Sequence, residues 1–149
     1  MDSERPAELP PEKPKHRHVS LRREGTGVYT ITNARGGTMR VGGSQGDFTA
    51  VELLLSAIAA CSSIDVDYVT GRRAQPDAFD VDVDAEKVGD EKGNHLEDIV
   101  MTFRVAFPDG AAGDAARRLL PDIVRKSHER LCTVSRTIML GTDITTKVE

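Results

Sequence analysis

The sequence predicts an α+β domain, with short strands before and after one isolated, strongly apolar helix. Three observations carry this. From Ala50 to Cys61 only Glu52 and Ser56 interrupt an apolar run, in a chain that is otherwise rather polar. Upstream, β-rich segments alternate with glycine- and asparagine-containing turns. Downstream, Phe79-Asp80-Val81-Asp82-Val83-Asp84 repeats with a strict period of two, apolar on one face and acidic on the other.

Taken in order, residues 1–18 form a proline-rich, charged tail, with Pro6, Pro10, Pro11 and Pro14 among charges and His16 and His18 at its end; it is expected to be disordered. Residues 19–149 are expected to form a single domain, and this length is enough for a real core. Val19–Arg23, Gly27–Thr32 and Thr38–Val41 read as strands, the second and third as a hairpin, with turns at Glu24–Gly27 and Asn33–Gly37. Gly42, Gly43 and Gly46 then lead flexibly into the apolar helix. Thr49 followed by Glu52 reads as a capping box, the hydroxyl taking one free N–H and the carboxylate reaching back to another. Gly71 is the stop, with Arg72 and Arg73 near the negative end of the dipole. A helix apolar on all sides belongs in an interior. It is too short, and too soon followed by Asp65 and Asp67, to span a membrane. Ala57, Ala59, Ala60, Ser62 and Ser63 keep it thin enough for another backbone to come close.

Beyond Gln75-Pro76, Phe79–Asp84 is a strand whose aspartates read as a solvated face. Gly89–Asn94 is a turn, and Ile99–Phe107 is a longer strand closed by Pro108-Asp109-Gly110. Asp114–Leu131 reads as an amphipathic helix with Leu119, Leu120, Ile123 and Val124 inward and Pro121 marking its start or a kink. A short helix to Leu140, then Gly141 and a last strand Asp143–Val148, complete the pattern.

A net charge of −4 leaves no electrostatic footprint for nucleic acid or anionic membrane, and six aromatics without Trp argue against stacking on single strands. No signal peptide or transmembrane segment is seen, so the expected compartment is a reducing cytoplasm. Two cysteines are not a disulfide framework there. Each could be a small buried hydrophobe. Alternatively, Cys132 lies between Thr133, Ser135 and a helix start, where amide N–H groups favour a thiolate. Cys61 lies mid-helix and needs an outside cation, for which Arg22, Arg23, Arg35 and Arg40 are candidates. A zinc site from Cys61, His128 and Cys132 rests on weak spacing, and His128 reads better as a surface or capping residue. No cofactor or metal is expected.

The two cysteine segments together, Val51-Glu52-Leu53-Leu54-Leu55-Ser56-Ala57-Ile58-Ala59-Ala60-Cys61 and Leu131-Cys132-Thr133-Val134-Ser135-Arg136-Thr137, resemble the OsmC/Ohr family of osmotically inducible and organic hydroperoxide resistance proteins. The resemblance covers about Val19 to Glu149. It implies an intertwined homodimer, with long central helices enclosed by antiparallel sheets and sites at the subunit interface. It also implies thiol-dependent reduction of organic hydroperoxides, with Cys61 peroxidatic, Cys132 resolving and an external dithiol as reductant. Hydroperoxidase members carry Pro-Glu about ten residues before the cysteine, the acid paired with an activating arginine. Here that pair is Ala50-Val51 and the acid stands at Glu52, rotated by about 100° around the helix. By position Arg40 matches the arginine, with Arg23 behind it. The resemblance thus marks Cys61, Cys132, Arg40 and Glu52 as catalytic candidates. The alternative is a binding or redox-sensing protein of the same fold without efficient turnover.

Overall fold

The computed structural model describes residues 15–43 and 46–149. The expected tail lies largely outside these residues, and its described end, 15–18, belongs to no helix or strand. Two compact units emerge, one reaching to Leu55 and the other comprising Ser56–Glu149, with a single helix running through the boundary.

In the first unit, β1 (Val19–Gly25), β2 (Val28–Asn33) and β3 (Thr38–Gly42) form an antiparallel sheet in sequence order. Val19 pairs with Asn33 and Thr30 with Arg40, so both turns are short hairpins. Asn33 holds the second turn: its side chain accepts from the N–H groups of Arg35 and Gly37 at 2.9 and 3.0 Å. Gly42 has φ 72, and a Cβ there would collide with the Gly27 carbonyl, so the close β2–β3 approach requires glycine. The Gly42 N–H donates to the Phe48 carbonyl, bringing the chain to the start of α1.

α1 spans Ala50–Gly71, as the capping box and Gly71 predict. Among the described residues no helix is long and apolar enough to cross a membrane. Ile58, Ser62, Val66 and Thr70 are its buried positions, one stripe at intervals of four. The helix is therefore not buried all round within one chain: Ile64 is 48 % exposed.

The second unit adds a long antiparallel hairpin, β4 (Ala78–Asp90) with β5 (Gly93–Ala106). Phe79, Val81 and Val83 face inward and the aspartates between them are exposed, as the period of two requires. Phe79 meets Phe103 edge to face, with ring centroids 6.3 Å apart, and Asp82 pairs with Arg104 on the outer face. The hairpin is longer than the sequence suggested: the expected turn Gly89–Asn94 shrinks to the tip around Glu91-Lys92.

α2 (Ala111–Lys126) buries Gly113, Ala116 and Ile123, and Pro121 lies inside it rather than at its start. The expected continuation to Leu131 is replaced by a π-helical turn, Ser127–Leu131. α3 (Thr133–Leu140) follows and ends on Gly141 in the left-handed region. The expected strand Asp143–Val148 is absent, and this segment joins no helix or strand. The fold is α+β, with antiparallel sheets and, among the described residues, three α-helices.

Candidate thiol site

Both cysteines fall in the second unit. Cys61 sits midway along α1 and is half-buried; Cys132 has no exposed surface. Both are free thiols. The fold brings their side chains near enough for each thiol to influence the other's acidity.

Local structure explains how Cys132 is held. The π turn closes with the Cys132 N–H on the Ser127 carbonyl at 2.9 Å, the i to i+5 bond of that geometry. Cys132 then leaves helical conformation (φ −73, ψ 106) and becomes the N-cap of α3. Its sulfur accepts from the Ser135 N–H at 3.4 Å, the bond a capping Ser or Asp oxygen would take. The neighbouring Val134 N–H is directed at Cys61. The first turn of α3 therefore serves both sulfurs.

The two thiols differ in acidity. Burial pushes the Cys61 thiol up, and the neighbouring Cys132 and the negative field of Asp65 push the same way. Burial also opposes charge on Cys132. There, the polar surroundings, the neighbouring Cys61 first and then the Ser135 hydroxyl and amide and Ser62, outweigh it, and the thiol lies below its ordinary value.

A cavity of about 540 Å³ lies near the pair, lined by neighbours of the cysteines and by neither sulfur. Ile58, Ile99, Met101, Val124, Ile138 and Met139 give it an apolar wall, and Arg125 and His128 stand on it as polar groups. Ser135, the capping partner of Cys132, lines it too, and Ile58 precedes Cys61 by one turn of α1.

The remaining candidates have local partners. Glu52 accepts from the Thr49 N–H at 3.1 Å while Thr49 Oγ1 accepts from the Glu52 N–H at 3.2 Å, completing the capping box. Arg40 pairs with Asp47 at 3.3 Å, and Arg23 donates to Thr26 Oγ1. His128 is exposed, and among the described residues no three His, Cys, Asp or Glu side chains gather as a metal-binding group. Sequence reasoning missed Ser62, Asp65 and Ser127. Ser62 was read only as a small residue. Asp65 and Ser127 lie far apart in sequence, and nothing local marks either as the other's partner.

A family model described as OsmC-like protein matches residues 42–147. The chain belongs to the OsmC-like family. An uncharacterised protein of Mycobacterium tuberculosis is 32% identical over 130 residues, covering 86% of this chain and 93% of that protein. A hypothetical protein of Aquifex aeolicus has the same fold, with a TM-score of 0.69 at 17% identity over 87% of this chain and 91% of its own. A Legionella pneumophila structure described as an organic hydroperoxide resistance protein OsmC matches with a TM-score of 0.56 at 16% identity, covering 85% and 91%. With these neighbours, the OsmC-like fold read from the cysteine segments stands.

Proposed function

We propose that this OsmC-like protein is a cytoplasmic, cofactor-free, thiol-dependent peroxidase that reduces organic hydroperoxides to alcohols. The observation that carries the reading is the proximity of Cys61 to Cys132 at the first turn of α3, where each thiol influences the other. Half-buried Cys61 is the sulfur a peroxide can reach. Its thiolate attacks the terminal peroxide oxygen, the alcohol leaves, and the resulting sulfenic acid is captured by Cys132 as a disulfide. An external dithiol returns both to thiols. The apolar cavity that reaches Ile58, one turn before Cys61, and Ser135, the capping partner of Cys132, supports a preference for hydrophobic hydroperoxides over hydrogen peroxide. The name of the Legionella relative points to the same chemistry. Arg40 and Glu52, engaged with Asp47 and Thr49, have no step in this scheme.

That local engagement favours a second reading, a binding or redox-sensing protein without efficient turnover. Steady-state consumption of cumene hydroperoxide and hydrogen peroxide with a lipoyl-type dithiol separates the two. The peroxidase reading expects turnover with cumene hydroperoxide and much slower turnover with hydrogen peroxide. Negligible turnover with both leaves the second reading.

A further inference from the structure

The cavity near the thiols has one wall that carries charge. α1, β5 and α3 line it with apolar side chains, Ile58, Met101 and Met139 among them, while α2 and the π turn add Arg125 and His128. An arginine on the wall of an apolar cavity ordinarily marks a site for an anion, because its planar fork of N–H donors matches a carboxylate. Here the fork is already engaged. Arg125 Nη2 donates to Asp122 at 2.6 Å and Nη1 to Glu129 at 2.9 Å, one acid a turn before it and the other a turn after. Lys126 Nζ stands 2.8 Å from the other Asp122 oxygen. Lys126 and then Arg125 hold the Asp122 carboxyl below the usual carboxylate range. Two carboxylates and two cations thus form one network whose charges cancel. A ligand carboxylate entering the cavity meets Arg125 only beside these two acids. It must displace one of them or stay unpaired against an apolar wall, which costs far more for a charge than for a hydroxyl. The acids are a repulsive element of the kind that separates otherwise similar ligands.

We propose that this cavity selects uncharged amphiphiles, so that the hydroperoxides reduced at Cys61 have a neutral carbon frame and those bearing a free carboxylate are disfavoured by Asp122 and Glu129. This rests on the peroxidase reading and narrows its substrate class. Asp122 and Glu129 determine specificity by occupying the guanidinium that would otherwise receive the acid. Ser135 both lines the cavity and, through its N–H, holds the Cys132 sulfur, which places the selected ligand on the thiol side of α3. The side chains of the network are roughly half exposed, so water screens each pair and the discrimination is modest, about tenfold.

Decanol and decanoate, equal in chain length and different in charge, test this on the intact reduced protein at about pH 8, where an imidazole ordinarily carries no charge. The ε-methyl NMR signals of Met101 and Met139, both on the cavity wall, report binding and its place without any turnover. Decanol should shift both signals and bind about tenfold more tightly than decanoate. Asp122→Asn combined with Glu129→Gln frees the guanidinium and should bring decanoate to at least the affinity of decanol. Decanoate that binds the wild-type protein as tightly as decanol overturns the proposal, as does a preference that survives the double variant. Decanol that leaves both methionine signals unmoved overturns it too. None of these outcomes involves peroxide chemistry. Turnover of cumene hydroperoxide, measured in parallel, stands or falls by itself, so failure of this inference is distinct from failure of the peroxidase reading.

Discussion

Ser127 Oγ donates to the Asp65 carboxylate at 2.7 Å, joining the π turn to α1 across 62 positions of sequence. Asp65 follows Cys61 by one turn of α1, and the Ser127 carbonyl accepts the Cys132 N–H. The bond therefore sits one step behind each thiol and sets where α3 begins relative to α1. Ser127 has no exposed surface, so nothing replaces its hydroxyl if it is removed.

Ser127→Ala should cost about 1.5–3 kcal/mol, the range for a hydrogen bond to a charged group. It should also slow closure of the Cys61–Cys132 disulfide after oxidation. Denaturant melts at matched protein concentration and stopped-flow thiol consumption measure the two effects. A loss of stability with unchanged closure would remove Ser127 from the positioning of the thiols.

How much of this was legible in sequence varies by element, for physical reasons. α1 was readable from end to end because its capping box and Gly71 are local signals acting on adjacent backbone. The outer halves of β4 and β5, around Lys87–Asp90 and Asn94–Asp98, were not, because polar residues on both faces erase the alternation. The π turn was hidden because one extra residue in a helical turn leaves a short apolar pattern looking α-helical. Asp143–Val148 has strand-like composition, but β propensity expresses itself only where an edge is free to pair. For the site, the two cysteine motifs were recognisable as a family resemblance. The groups that separate their acidities, Ser62 among them, depend on tertiary packing and have no local signature.

Glu52 illustrates the difference between position and role. Its carboxylate completes a cap with Thr49, and a glutamine can make the same bonds. Glu52→Gln should keep both stability and the cumene hydroperoxide rate within about twofold, whereas Thr49→Ala should cost about 1 kcal/mol. A hundredfold drop in rate for Glu52→Gln with stability intact would return the carboxylate to the chemistry.

The apolar surface left uncovered is expected to be covered in a homodimer. Ile64 is 48 %, Val100 55 %, Met139 59 % and Leu140 62 % exposed in the single chain, more than isolated surface residues would account for. The small residues along α1 would let a two-fold mate pack closely in an isologous contact. Sedimentation at micromolar concentration should give twice the chain mass. Ile64→Asp, which would place a charge in that contact, should weaken the association by about tenfold or more. A wild-type monomer under these conditions would exclude an interface origin for the site.

The pair of thiols must act as a unit if the peroxidase reading holds. One equivalent of cumene hydroperoxide should consume both and yield an intramolecular disulfide, with a mass loss of two hydrogens and no added oxygen. Cys132→Ser should stop at the Cys61 sulfenic acid, trappable by dimedone, and excess peroxide should carry it on to the sulfinic acid. Cys61→Ser should leave Cys132 with its charge but without a route to substrate, because its sulfur has no exposed surface. Its oxidation by cumene hydroperoxide should then be slow even though it is the more acidic thiol. Two structural cysteines would behave otherwise, oxidising slowly and independently, with variants that differ only in stability. Intact mass and thiol titration of the three proteins distinguish these outcomes, and rapid oxidation of Cys132 in Cys61→Ser would reverse the assignment of attacking and resolving sulfur.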